Sequence, residues 1–207
     1  GEVKAIASGA ISAAGKPLVV NADGTFTQIT EVTQSASVAS AVIFESAAIG
    51  TAEGNISFDT TNNRIIIAYP DSGNSSYGTA VVGNISGTTI SFGTPVVFVS
   101  SGTSQMTQAF DTNAGKAAII YRQGTSGRAI VGTVDPSDNS ISFGSSMEWN
   151  TAQVNYSYAT FDSTNNKILV VFSDYTSGTN GMAIVGTISG TDTVSYTHLT
   201  LPTIYSV

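Results

Sequence analysis

"ISFDTTNNRIIIAYPD" (residues 56–71), "QAFDTNAGKAAIIYRQ" (108–123) and "ATFDSTNNKILVVFSD" (159–174) are three renderings of one pattern. Phe58, Phe110 and Phe161 anchor them, 52 and then 51 residues apart, and each is followed by an aspartate, Asp59, Asp111 and Asp162. The stretch behind the aspartate is rich in Asp, Thr, Asn and Gly, the residues of tight turns. Behind the turn come "RIIIAY", "KAAIIY" and "KILVVF". These runs are too short for an ordinary helix and are rich in β-branched residues, so they read as strands. They lack alternation of apolar and polar positions, which predicts burial on both faces.

The rest of the repeat follows in fixed order. "TAVVGNIS" (79–86), "RAIVGTVD" (128–135) and "MAIVGTIS" (182–189) supply a third strand, whose glycine predicts close approach by a neighbour. "TTISFGTPVVF" (88–98) and "NSISFGSSMEW" (139–149) supply a fourth, "ISFG", in the first two repeats. Four short strands in about 50 residues, the inner ones buried on both faces, predict an all-β chain and a β-propeller-like array of four-stranded blades. A β-sandwich or another β-repeat stack is the competing architecture. The repeats span about 41–95, 96–146 and 147–193, because "VIFESA" (42–47) matches "VVFVSS" (96–101). Three blades fall short of the roughly four to eight of a closed ring, so the ring is expected to be incomplete and its unpaired last face to favour association. Residues 1–40 are different. "NADGT" (21–25) between two apolar stretches predicts an N-terminal β-hairpin, followed by a linker.

Composition narrows the function. The chain carries 14 Asp and Glu against 7 Lys and Arg, for a net charge of −7. An acidic surface repels phosphate backbones, which argues against nucleic acid. No apolar run approaches the ~20 residues of a membrane span. The absence of cysteine excludes disulfides and thiolate metal sites.

The closing segment "VSYTHLTLPTIYSV" (194–207) departs from the repeat just where "ISFG" is due. Back-translated, residues 194–203 resemble the transposon-end adapter of short-read sequencing libraries. On that reading 194–207 is a non-native tail, the sequence comes from environmental DNA, and the native chain is expected to continue beyond Thr193. The start at Gly1 rather than Met likewise leads us to expect a longer gene.

His198, the single histidine, falls inside the tail, which leaves no His or Cys for nucleophilic catalysis or a transition-metal site. Paired carboxylates would have to come from Glu45, Glu53 or Glu148, which do not fall at equivalent repeat positions. Asp59, Asp111 and Asp162 suit either calcium in a turn or, the reading favoured here, a side chain bonded to its own turn backbone. We therefore expect no enzyme, no cofactor and no metal.

The loop between second and third strands varies most: "PDSGNSSYG" (70–78), "QGTSG" (123–127) and "DYTSGTNG" (174–181). Variable loops on a repeated frame suit recognition, and Tyr77, Arg128 and Tyr175 on or beside them are the candidate ligand-binding residues. Trp149 occupies the place of Phe44 and Phe98 and reads as core.

The blocks "FDSTNNK" (161–167), "GTAVVG" (78–83) and "ISFGTPVVF" (90–98) resemble β-propeller-like tandem repeats in proteins of marine bacteriophages. "GAISAAGKPLVVNADGTF" (9–26) is similar to the hairpin that opens many phage tail-fibre and virion proteins. The resemblance implies a non-enzymatic virion protein, a tail-fibre or host-recognition module located in the virion or outside the cell. Its implied partners are a host-surface glycan or protein and other virion proteins. The alternative is a secreted or cell-surface bacterial adhesin or glycan-binding module.

Overall fold

The computed structural model of the chain describes residues 7, 9–10, 15, 17–28, 40–50, 55–176, 178–190 and 193–198. Most of the 29–40 linker, Glu53 and residues 199–207 lie outside the described residues, and of 193–198, His198 included, only the backbone is described. The chain divides into two compact units, Gly1–Val38 and Ala39–Val207. It is all-β, with no α-helix among the described residues and a single 3-10 turn at Ser72–Asn74. No described helix is long and apolar enough to cross a membrane.

The first unit holds the expected hairpin. Strands β1 (Leu18–Val20) and β2 (Phe26–Gln28) pair antiparallel, Leu18 opposite Gln28 and Val20 opposite Phe26. Gly24 takes a φ of 80° in the connecting loop, and the Asp23 carboxylate accepts from the Thr25 amide and hydroxyl.

The second unit contains the repeats. The first sheet is built by β3 (Asn55–Asp59), β4 (Arg64–Asp71) and β5 (Tyr77–Ser86), an antiparallel meander. The second uses the later half of β7 (Val96–Asp111) with β8 (Lys116–Gln123) and β9 (Ser126–Asp135). The third uses β12 (Val154–Asp162), β13 (Lys167–Asp174) and β14 (Asn180–Ser189).

The outer edge of the first two sheets differs from the single fourth strand expected. Two short strands lie end to end there. On β5, β6 (Thr89–Phe92) pairs with Gly83–Ser86, and the first half of β7 pairs with Tyr77–Ala80. On β9, β10 (Ser140–Phe143) and β11 (Met147–Asn150) do the same. The break falls at Gly93–Pro95 in the first repeat, where proline has no N–H to give to a ladder. Because β7 serves two meanders, the first two repeats form one nine-stranded sheet, and no sheet closes on itself. On β14, β15 (Thr193–His198) takes the outer place, with Tyr196 opposite Gly186 as Phe92 stands opposite Gly83 and Phe143 opposite Gly132. The boundary read between Thr193 and Val194 therefore falls inside a paired strand.

The turns repeat because their chemistry repeats. Asp59 Oδ1 accepts from the amides of Thr61 and Asn62, Asp111 Oδ1 from Asn113 and Ala114, and Asp162 Oδ1 from Thr164 and Asn165. One position in each turn is left-handed: Asn63 at φ 55°, Gly115 at 64° and Asn166 at 55°. Asn and Gly are the residues that bear that conformation.

Sheets pack face to face through two cores. In the first, Ile66, Ala68, Ala80 and Val82 of the first sheet meet Phe110, Ala117, Ile119, Tyr121 and Ile130 of the second. In the second, Ala118, Ile120, Ala129 and Val131 meet Ile168, Val170, Phe172 and Ile184 of the third. Odd and even residues of β8 thus enter different cores, and all five from Ala117 to Tyr121 are buried, as the unalternating run predicts. Full burial of each Ile or Val contributes roughly 1.5–3 kcal/mol. The third repeat differs. β13 alternates between buried and exposed, because nothing described covers its far side. Leu169 and Val171, the equivalents of the buried Ala118 and Ile120, are 37% and 40% exposed.

An aromatic pair recurs in each repeat. Phe44 packs on Tyr69, Phe98 on Tyr121 and Trp149 on Phe172, with ring centroids 5.3, 5.4 and 4.8 Å apart. Trp149 is partly buried and packs against the second core. Each of the latter two rings also lies over a glycine of the preceding sheet. A Cβ on Gly78 would stand 2.5 Å from Phe98, and one on Gly127 2.5 Å from Trp149.

A candidate recognition rim

All three variable loops lie along one edge, and a run of hydrogen bonds ties them together. The loop after β4 begins with Asp71, whose carboxylate accepts from the Gly73 amide, and ends with Ser75 and Ser76 in the left-handed region. Its Ser76 carbonyl accepts from the Thr103 amide at 2.9 Å, at the midpoint of β7. The next residue, Ser104, accepts from Arg122 Nε at 3.0 Å. The guanidinium of Arg122 continues to the third repeat, donating from Nη1 to the Val154 carbonyl and to Asn155 Oδ1. On the same edge the Val154 amide donates to the Thr125 carbonyl and the Tyr175 amide to the Gln153 carbonyl.

Two bulges sit in the middle of this frame. β7 slips register between Ser104 and Thr107, and β12 between Asn155 and Tyr158. Gln105 and Tyr156 occupy the same place in their bulges, each at a φ of 51°. Neither is Gly or Asn, so each position stores about 1–3 kcal/mol of strain. Cross-repeat bonds hold them: the Tyr156 amide donates to Gln105 Oε1 and the Ser157 hydroxyl to the Gln105 carbonyl, both at 2.6 Å.

The three residues singled out in the sequence fall in three different repeats. Tyr77 opens β5, half-buried and opposite Asp71 and Gly102. Arg128 lies in β9 and is spent on Glu148, 3.0 Å away across the ladder to β11. Tyr175 follows β13 and is exposed, and its ring stands 6.4 Å from that of Tyr156 at a 50° tilt. The Tyr156 hydroxyl, bonded to that of Tyr175, pushes the Tyr175 phenol above its ordinary pKa. The Tyr175 phenol is therefore neutral at physiological pH. The pair presents two ring faces and two hydroxyls, a surface suited to the apolar face and the hydroxyls of a sugar or to a protein.

Sequence reasoning missed Tyr156 and Arg122. Tyr156 stands where the second repeat has Gln105, and that change of type in a constant frame was the available signal. Arg122 stands where the third repeat has Ser173, which gives no hint of its span across the joint.

The carboxylates are engaged elsewhere. Glu45 accepts from the Ala47 amide and the Tyr69 hydroxyl, and the first of these bonds chiefly holds its pKa low. Glu148 belongs to Arg128. The repeated aspartates bond their own turns, and among the described residues no group of three metal-ligating side chains comes together. Family models, curated proteins and solved structures yield no match to this chain.

Proposed function

We propose that this chain is a non-enzymatic recognition module of a virion, a tail-fibre or host-recognition piece in which the three sheets serve as propeller-like blades. Its loop rim meets a glycan or protein of the host surface, and its frame joins other virion proteins. The observation that carries this reading is the loop set itself. Three loops of different length and content are held on one edge by a hydrogen-bonded frame, and the third opens at Tyr175, whose exposed ring stands beside that of Tyr156 in the β12 bulge. A rigid frame with interchangeable loops is a common design for recognition.

The test is binding of the chain to a panel of immobilised host-surface glycans, with Tyr175→Ala and Tyr156→Ala beside the wild type. Loss of about tenfold or more in affinity supports the reading, the scale of an interface tyrosine that matters. Retention unaffected by either change overturns it. The same rim would serve a secreted or cell-surface bacterial adhesin, and the genes flanking the locus separate the two settings.

A further inference from the structure

The exposed tyrosine pair stands in a stretch of chain without charge. The three segments that frame it, residues 102–110, 153–161 and 175–190, contain no Asp, Glu, Lys or Arg, although the chain carries 14 acidic and 7 basic residues elsewhere. Two charged side chains border these segments, and both are turned into the structure. Asp174 is buried and accepts from the Thr176 amide. Arg122 is half-buried and donates to Ser104, to the Val154 carbonyl and to Asn155.

The two rings are held in place by backbone bonds. The Tyr156 amide donates to Gln105 Oε1 and the neighbouring Ser157 hydroxyl to the Gln105 carbonyl, which pins the left-handed bulge. The Tyr175 amide donates to the Gln153 carbonyl, and the Gln153 amide donates in turn to Thr176 Oγ1. A ligand that lands on these rings need not order the backbone that carries them, so it loses little affinity to conformational entropy.

Shape and chemistry narrow the ligand. The ring planes are tilted by 50° with centroids 6.4 Å apart, so a flat aromatic ligand cannot stack on both. A pyranose chair fits better. One of its faces is a patch of C–H groups that stacks on a phenol ring, and the hydroxyls around its edge can reach the hydroxyl of the other tyrosine. Gln153, Thr176, Thr179 and Asn180 are exposed nearby and supply amides and hydroxyls that both donate and accept. Beyond Tyr175 the loop reads Thr-Ser-Gly-Thr-Asn (176–180), which offers a protein partner no further apolar anchor.

We propose that the Tyr156–Tyr175 pair seats one uncharged pyranose residue of a neutral polysaccharide, stacked on a phenol face and hydrogen-bonded by the hydroxyls and amides around it. This rests on the recognition reading above and narrows it to one class of glycan. Sulfated, phosphorylated or carboxylated sugars meet no cation on the three framing segments, and the net charge of −7 repels them.

The experiment measures binding of the full chain to immobilised glucan, galactan and mannan, each beside its sulfated form, at low and high salt. Binding to at least one neutral polymer is expected, changing less than about twofold between about 0.05 and 0.5 M NaCl because no ion pair forms. The methyl glycoside of the same sugar should compete. Tyr156→Ala and Tyr175→Ala should each weaken binding about tenfold or more. Tyr175→Phe keeps the stacking face and loses one hydroxyl, so it should cost clearly less than Tyr175→Ala. Both side chains are exposed, and unchanged thermal unfolding of the variants separates a lost contact from a lost fold. Binding to the sulfated forms alone, falling as salt rises and abolished by Tyr175→Ala, overturns the neutral-sugar assignment and leaves the recognition reading standing. Equal losses for Tyr175→Phe and Tyr175→Ala overturn the stacked pose. Binding to none of the polymers overturns the assignment, and the recognition reading falls with it only if the host-surface panel is also negative.

Discussion

Replacing Gly127 by alanine sets one atom against the indole of Trp149. The new Cβ would lie 2.5 Å from Cζ2 and 2.7 Å from Cε2 and Cη2. The ring cannot swing clear easily, because Phe172 also packs against it edge-on with centroids 4.8 Å apart. Overpacking of this kind costs about 1–3 kcal/mol. Alanine returns about 0.4–1 kcal/mol by restricting the unfolded chain, which leaves a net loss of up to about 2.6 kcal/mol. For a chain of this size that lowers Tm by up to about 10 °C. Gly181→Ala is the same change at the equivalent place on the third sheet, where the Cβ meets nothing. In dilute solution it is expected to be neutral or stabilising. Denaturant unfolding followed by the fluorescence of Trp149, the single tryptophan, reports directly on the joint. Equal effects of the two substitutions would refute the idea that the ring over glycine locks one sheet to the next.

Acid should loosen the turn at Asp162. The Asn165 side chain, bonded to Asp162, holds that carboxyl below the ordinary 3.8, so the unfolded chain takes up the proton first. Its contribution to stability is thus present above about pH 4 and is lost as pH falls through the folded value. A carbon-detected NMR titration should place the Asp162 midpoint below 3.8, and Asn165→Ala should raise it. At the alkaline end, burial pushes the Tyr69 phenol well above its ordinary 10.0, and the bond to Glu45 adds to the effect. Stability from Tyr69 is full below pH 10 and falls as pH climbs towards the folded pKa, visible as a late phenolate transition in ultraviolet absorbance that coincides with unfolding. Arg122→Met keeps much of the apolar stem and removes the bonds to Ser104, Val154 and Asn155. Amide hydrogen exchange should then speed up around residues 154–157 while β8 stays protected; unchanged exchange there would argue against Arg122 as the tie between the second and third repeats.

Much of this architecture is legible in the sequence because turns and strands repeat with their physical causes. The left-handed turn position is filled by Asn63, Gly115 and Asn166, and the run "KAAIIY" lacks polar alternation because both of its faces are covered. Position within the array is less legible. "KILVVF" has the same apolar character as "KAAIIY", yet Leu169 and Val171 are exposed, since burial depends on a neighbour that local composition does not encode. The bulges at Gln105 and Tyr156 are hidden for another reason. Their positive φ is imposed by cross-repeat hydrogen bonds and not by Gly or Asn in the chain. Of the proposed site, Tyr175 was visible as a variable-loop tyrosine, whereas its partner Tyr156 and the spanning Arg122 emerge only when the sheets are stacked.

β7 has a mechanical side. The first and second sheets are joined by one unbroken strand, so a bending load at that joint is carried by continuous backbone from Val96 to Asp111. The second and third are joined through Thr151–Gln153, which belongs to no strand and is latched by the Asn150 side chain and by Thr176 and Tyr175 of the third repeat. Nominally identical joints therefore differ in stiffness. A strained array yields first at Thr151–Gln153, and the third sheet, with Tyr156 and Tyr175 on it, pivots there while the first two move as a single beam.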